Sequence, residues 1–75
     1  MKSIIVKAMR SYLQGNIEKH VANVRLHLSN TVGVAEHSDH IETIEKELGI
    51  IAELEDKLSV LERYFGKGKS EVIHG

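Results

Sequence analysis

Apolar residues recur every three or four positions through two long stretches of this chain, and no proline interrupts either stretch. In the first stretch the intervals are 3, 4, 4, 4, 3 and 4, and the residues are Val6, Met9, Leu13, Ile17, Val21, Val24 and Leu28. In the second the intervals are 3, 4, 3, 3, 4, 3 and 4, and the residues are Ile41, Ile44, Leu48, Ile51, Leu54, Leu58, Leu61 and Phe65. Both patterns follow the period of an α-helix. The sequence therefore predicts an all-α fold, with helix 1 at about residues 3–29 and helix 2 at about residues 39–65.

The ends of helix 2 carry the strongest local signals. Ser38 or Asp39 is suited to cap the first amides, and Asp39 followed by Glu42 imitates a capping box. Gly66 and Gly68 follow Phe65, where a left-handed closing residue is expected. The short average interval of its apolar stripe also makes the stripe drift around helix 2, as in helices that wind around a partner.

Residues 30–38 form a connection long enough for helix 2 to fold back along helix 1. Two helices of similar length joined in this way form an antiparallel helical hairpin. We predict that residues 1–65 form this hairpin and that residues 66–75 form a flexible C-terminal tail, in which Val72 and Ile73 are the residues able to dock on a neighbour.

Self-association is predicted because a chain of 75 residues without cysteine has neither a large core nor a disulfide to stabilise it. Helix 1 also carries small residues at seven-residue intervals, namely Ala8, Gly15, Ala22 and Ser29. Together with nearby apolar residues they predict an interface formed by Ala8, Tyr12, Gly15, Ala22 and Leu26. The expected assembly is a homodimeric four-helix bundle or a larger oligomer. The alternative is that the small residues merely occupy an exposed face.

Charge is divided between the two helices. Residues 1–30 contain five basic residues and one acidic residue, a net charge of +4, and residues 39–65 contain eight acidic and three basic residues, a net charge of −5. Opposite charge favours packing of helix 1 against helix 2, within one chain or between chains.

Residues 36–40 form the richest cluster of chemically active side chains, with two carboxylates and two imidazoles. Zinc binds such groups, but three or four must converge on the ion, and a short tract at a helix start points them in several directions. We therefore expect capping and surface histidines here, and no metal or cofactor. His20 and His27 lie seven residues apart and are expected to be partly buried histidines with backbone or solvent partners or, alternatively, a pH-sensitive interface pair.

Other function classes find little support in the sequence. There is no cysteine, no nucleophile elbow and no glycine-rich phosphate loop, so we predict no catalytic residues and no enzyme. The basic residues of helix 1 are dispersed and balanced by acids, so nucleic-acid association is a weaker alternative. No apolar run is long enough to span a membrane, and no signal-peptide core is visible, so we expect a cytoplasmic protein.

The connection and the start of helix 2 read Asn-Thr-Val-Gly-Val-Ala-Glu-His-Ser-Asp over residues 30–39, and helix 2 ends in Leu-Ser-Val-Leu-Glu-Arg-Tyr-Phe over residues 58–65. Together these segments resemble a small protein family of tailed bacteriophages, including cyanobacterial phages, with two helices joined by a loop similar to Asn-Pro-Val-Gly-x-Gly-Glu-His-x-Asp. Thr31 and Ala35 depart from that loop pattern. The resemblance implies a viral origin and a binding site at the loop, formed by Asn30, Gly33, Glu36, His37 and Asp39.

These observations lead to one main functional expectation and one alternative. The main expectation is a non-enzymatic phage protein, an oligomer of helical hairpins that binds a host or viral protein through its loop or outer helical face. The alternative is a protein that sequesters an anionic nucleotide signal at the loops, where glycine and the amides at a helix start can accept an anion.

Overall fold

A computed structural model describes residues 2–29 and 37–66 of the chain. Two helices account for nearly all of these residues, α1 (Lys2–Ser29) and α2 (His37–Phe65). They pack against each other along their length, and no strand occurs in the described ranges. Arg10 of α1 pairs with Glu62 near the end of α2, whereas His27 pairs with His40 near its start, so the helices run antiparallel. The predicted helical hairpin is confirmed.

The start of α2 differs from the prediction. The helix begins at His37, so Ser38 and Asp39 lie in its first turn and do not cap it. Asp39 still suits this position, because a carboxylate in the first turn interacts favourably with the positive end of the helix dipole. The helical stretch of α1 likewise begins at Lys2, one residue before the predicted start.

The end of α2 is closed by Gly66, although not by the predicted left-handed conformation. The backbone amide of Gly66 donates a hydrogen bond to the carbonyl oxygen of Glu62 at 3.0 Å, which continues the helical pattern. A Cβ atom at this position would lie 2.5 Å from that same oxygen. Glycine is therefore required here by close approach of the backbone, and not by a positive φ.

The contact between the helices, which we call the seam, contains very little fully buried apolar surface. Among the described residues, Leu13 is the one apolar side chain that is buried, with 5% of its surface exposed. The other apolar residues of the seam are half-buried, and they are Val6, Ile17, Val21, Val24, Ile44, Ile51, Leu54, Leu58 and Leu61. Two helices touch along one line, so a single neighbour covers only a narrow stripe of each.

Several residues of the predicted apolar stripes lie outside the seam. Met9, Leu28, Ile41, Leu48 and Phe65 are all exposed, although their spacing placed them with the buried positions. In α2 this matches the short spacing of the stripe, which drifts around a straight helix and carries its members away from the contact line.

Candidate interaction surface

The seam is held by charged and polar side chains as well as apolar ones. At the open end of the hairpin, the Arg10 guanidinium donates hydrogen bonds from Nε and Nη2 to the two carboxylate oxygens of Glu62. This fork geometry gives directional contact across the helices. The hydrogen bond to Glu62 raises the pKa of Arg10 above its ordinary value.

A second polar group lies in the middle of the seam. His20 Nδ1 lies 2.5 Å from Glu47 Oε1, and Asn23 donates a hydrogen bond from its side chain to the same oxygen at 3.4 Å. The His20 and Glu47 side chains are each 16% exposed. The hydrogen bond from His20, followed by that from Asn23, lowers the pKa of the Glu47 carboxyl group. Glu47 is therefore held as a carboxylate by two residues of α1.

Two histidines meet at the loop end of the seam. The Nδ1 atoms of His27 and His40 are 3.1 Å apart, and the rings pack edge to face with centroids 5.3 Å apart. Both residues are half-buried. Partial burial of His20 and His27 agrees with the prediction. Their partners are side chains of α2, whereas backbone or solvent partners were expected, and the two histidines do not contact each other.

Sequence reasoning missed these cross-helix partners, although a signal for them is present. His20 and His27 are seven residues apart on α1, and His40 and Glu47 are seven residues apart on α2. In an antiparallel pair of helices, equal spacing on both places His20 opposite Glu47 and His27 opposite His40. The polar residues at matching heptad intervals thus fix the register of the two helices.

The predicted interface on α1 is left uncovered by α2. Ala8, Tyr12, Gly15, Ala22 and Leu26 are all exposed in the single chain, Tyr12 and Leu26 by 65% and 60%. No atom beyond the local chain lies within 4 Å of a Cβ built at Gly15, so α2 does not require a glycine at that position. These five residues, with the adjacent Ile4 and Ile5, are called the outer face of α1 below.

Part of the outer face lies in a shallow, mainly apolar depression on α1. Its lining is Ile17, Glu18, Val21, Ala22, Arg25, Leu26 and Ser29. A second apolar groove is formed by both helices towards the open end, and its lining is Met9, Leu13, Asp56, Lys57, Val60, Leu61 and Phe65. Each is bordered by charged side chains of both signs. Apolar depressions with a charged border are typical of protein contact surfaces.

Exposed charge on the two helices remains of opposite sign. Three basic residues of α1 are exposed, Lys7, Lys19 and Arg25, together with one acidic residue, Glu18. On α2 six acidic residues are exposed, together with three basic ones; the acidic residues are Asp39, Glu42, Glu45, Glu53, Glu55 and Asp56, and the basic residues are Lys46, Lys57 and Arg63. Such side chains favour an arrangement in which α1 of one copy lies against α2 of another.

The predicted loop site lies largely outside the described residues. This applies to Asn30, Gly33 and Glu36, and to the C-terminal residues Val72 and Ile73. His37 is the first residue of α2, and Asp39 is an exposed residue of its first turn. A loop site for a partner or an anion therefore stays a prediction.

Two further features are absent from the part of the chain that the structure describes. Residues 2–29 and 37–66 contain no group of three or more His, Cys, Asp or Glu side chains arranged to hold a metal ion. Neither α1 nor α2 has the long apolar stretch that crossing a membrane requires. Comparison with protein families, curated proteins and solved structures finds no match to this chain.

Proposed function

We propose that this protein is a non-enzymatic binding protein that acts as an oligomer of helical hairpins, and that a second copy of the chain covers the outer face of α1. The observation that carries the proposal is the distribution of apolar surface. One apolar side chain is buried in the described residues, whereas twelve large ones are between 37% and 65% exposed. Association with another molecule can bury apolar surface that the packing of α1 against α2 leaves exposed.

The size of the expected gain supports a stable assembly. Burying a large apolar side chain is worth about 1.5–3 kcal/mol. Ile4, Ile5, Tyr12 and Leu26 are the large members of the outer face, and a symmetric dimer would cover them twice. Together these burials are comparable in size with the loss of translational and rotational freedom on association, which is about 4–15 kcal/mol.

The small residues determine how the second copy approaches. Ala8, Gly15 and Ala22 leave room for a neighbouring helix to come close to the backbone of α1. Charge selects which helix that is, because the acidic α2 is attracted to α1 and repelled by another α2. We therefore place α2 of one copy against the outer face of α1 of the other, in a four-helix bundle.

Gly15 provides a direct test, and its neighbour Gln14, which is exposed on α1 but lies outside the outer face, provides the control. No atom lies within 4 Å of a Cβ built at Gly15, so a larger side chain there does not disturb the hairpin itself. Sedimentation equilibrium of the wild-type chain should give a multiple of 8.4 kDa. Gly15→Leu should shift the mass towards 8.4 kDa at the same concentration, and Gln14→Leu should not. Equal behaviour of the two variants would contradict the proposed face.

The partner of the oligomer is proposed to be a host or viral protein, in line with the resemblance to the phage family. The groove between Met9 and Val60 is apolar, bordered by Asp56 and Lys57, and belongs to both helices. It is suited to an apolar side chain of a folded partner. Affinity capture from infected host cells should retain one protein on the wild-type chain and lose it on Val60→Glu. Retention of the same proteins by both baits would contradict a partner at this groove.

A further inference from the structure

We propose that an apolar patch on one flank of the seam, at the loop end of the hairpin, packs against the same patch of a second copy. The patch, called the loop-end patch below, consists of Val21 and Leu28 of α1 and Ile41 and Leu48 of α2. It is separate from the outer face, which lies on the side of α1 opposite the seam. The inference rests on the proposed self-association of the chain, but it does not depend on the outer face.

The residues of the loop-end patch directly follow the polar residues of the seam. His20 contacts Glu47 in the middle of the seam. His27 contacts His40 nearer the loop, and the residue after each of these four is apolar. One step along an α-helix turns by about 100°. Because α1 and α2 run antiparallel, this turn leads to the same flank of the seam on both helices.

A groove on this flank, towards the open end of the hairpin, shows the same relation. Ile17 and Leu58 are half-buried in the seam, and Glu18 and Ser59 are the residues that follow them. All four line this one groove. The position after a seam residue therefore lies on the same flank in α1 and in α2.

The loop-end patch is apolar and largely exposed. Ile41 is 65% exposed, Leu28 59% and Leu48 53%, although all three belong to the predicted apolar stripes. Val21 is half-buried beside the seam. Towards the open end the same flank is polar, and its exposed residues are Gln14, Glu18, Glu55 and Ser59. Apolar contact on this flank is therefore confined to the loop half of the hairpin.

A second copy of the chain matches this flank in both shape and charge. A two-fold axis parallel to the helices places loop end on loop end, so the patch of each copy covers that of the other. The same rotation places α1 of each copy against α2 of the other. Exposed charges are mainly basic on α1 and mainly acidic on α2, so the two surfaces attract. An axis across the helices would instead place the patch against Glu18 and Glu55 and bring α2 against α2.

One ion pair is expected at the edge of this contact. Arg25 and Glu45 are exposed and lie one helical turn from patch residues on their own helices, so both border the patch. Counted from the contact of His20 with Glu47, Arg25 lies five residues nearer the loop and Glu45 two. The difference of three residues is about 4.5 Å along the helix axis. Arg25 of one copy is therefore within reach of Glu45 of the other.

Sedimentation equilibrium of the full chain tests the loop-end patch separately from the outer face. Ile41→Ser combined with Leu48→Ser should raise the dissociation constant for self-association by about tenfold or more, with helical content unchanged by circular dichroism. Tyr12→Ser combined with Leu26→Ser is the matched pair on the outer face. An unchanged constant for the loop-end pair alone would overturn this inference and leave the outer face standing. An unchanged constant for the outer-face pair alone would support the loop-end patch and contradict the outer face.

Charge reversal at the edge of the patch tests the orientation of the two copies and removes no apolar side chain. Arg25→Glu and Glu45→Arg should each weaken self-association several-fold, because each brings like charges together across the contact. An equimolar mixture of the two variants should restore association, since both edges of the mixed dimer then carry opposite charges. Unchanged association of both single variants, or no recovery on mixing, would overturn the proposed contact. A monomeric wild-type chain would overturn it together with the proposed self-association.

Discussion

One side of α1 lies in the seam and another forms the outer face, and the two sides differ in whether their residues have partners within the chain. In the seam, Arg10, His20 and His27 each have a partner on α2 within the same chain. On the outer face, Tyr12 and Leu26 are exposed apolar side chains that the hairpin itself does not cover. The contrast separates the residues that make the hairpin from those available for a second molecule.

The largest expected effect lies in the seam, at its one buried apolar side chain. Leu13→Ala should lower the free energy of unfolding by about 2–5 kcal/mol, because it removes buried apolar volume and leaves a cavity. Urea unfolding measured at several protein concentrations checks this. A loss below about 1 kcal/mol would show that the seam is too loosely packed to stabilise the hairpin.

Substitutions on the outer face should weaken self-association and should leave folding of the hairpin unchanged. Tyr12→Ser and Leu26→Ser together should weaken self-association by about tenfold or more, since each removes an apolar side chain worth about 1.5–3 kcal/mol when buried. Helical content at high protein concentration should stay unchanged. Sedimentation equilibrium measures the dissociation constant, and an unchanged constant would remove these residues from the interface.

Replacing glycine by alanine should change the stability of the hairpin in opposite directions at Gly66, which closes α2, and at Gly49, in the middle of α2. Gly66→Ala should destabilise the hairpin by about 1 kcal/mol, because its Cβ would lie 2.5 Å from the Glu62 carbonyl oxygen. Gly49→Ala, with no atom within 4 Å of its Cβ, should stabilise the hairpin by about 1 kcal/mol through helix propensity. Thermal unfolding of the two variants checks the pair. A stabilising Gly66→Ala would contradict the close contact at the end of α2.

The Glu47 carboxyl group in the middle of the seam should make the free energy of unfolding depend on pH in the acidic range. The folded-state pKa of Glu47 is lowered from 4.5, chiefly by the hydrogen bond with His20. Its contribution to stability is therefore fully present above the unfolded pKa and is lost as pH falls through the lower folded value. Urea unfolding between pH 6 and pH 3 should show a shallower acid loss of stability for Glu47→Gln than for wild type. Equal slopes for the wild type and Glu47→Gln would contradict the assignment.

The smallest effect is expected at the solvent-facing ion pair of α2. Lys57 Nζ lies 3.5 Å from Glu53 Oε2, and both side chains are largely exposed. Glu53→Gln should change the free energy of unfolding by less than about 0.5 kcal/mol. A larger loss would indicate that this part of α2 is covered in the assembly and would extend the interface beyond the outer face of α1.

The sequence predicted the fold closely because helical periodicity is a local property. Apolar spacing located both helices within one or two residues of their observed ends, and charge indicated that α1 attracts α2. The prediction that Asp39 caps helix 2 was wrong. A residue suited to cap a helix is also tolerated in the first turn, and a single sequence does not distinguish the two positions. Whether Ile41 and Leu48 are buried depends on where α1 and α2 touch. The spacing of apolar residues along one helix does not define that line of contact.

The candidate sites depended on contacts between distant residues, and there the sequence was less informative. His27 was expected to have a backbone or solvent partner or, alternatively, to form an interface pair with His20, whereas its partner is His40 across the seam. The equal seven-residue spacings of the polar residues on the two helices indicate this pairing, but only when the register of α1 against α2 is known. The outer face was predicted from small residues at heptad intervals together with nearby apolar residues, and the structure leaves that face exposed.

The central claim is that the hairpin leaves its outer apolar face for another copy of itself. Sedimentation equilibrium of the purified wild-type chain at micromolar concentration tests this most directly. The account predicts a dimer or larger oligomer, with a mass that is a multiple of 8.4 kDa. A cooperatively folded species of 8.4 kDa at the same concentration would contradict it.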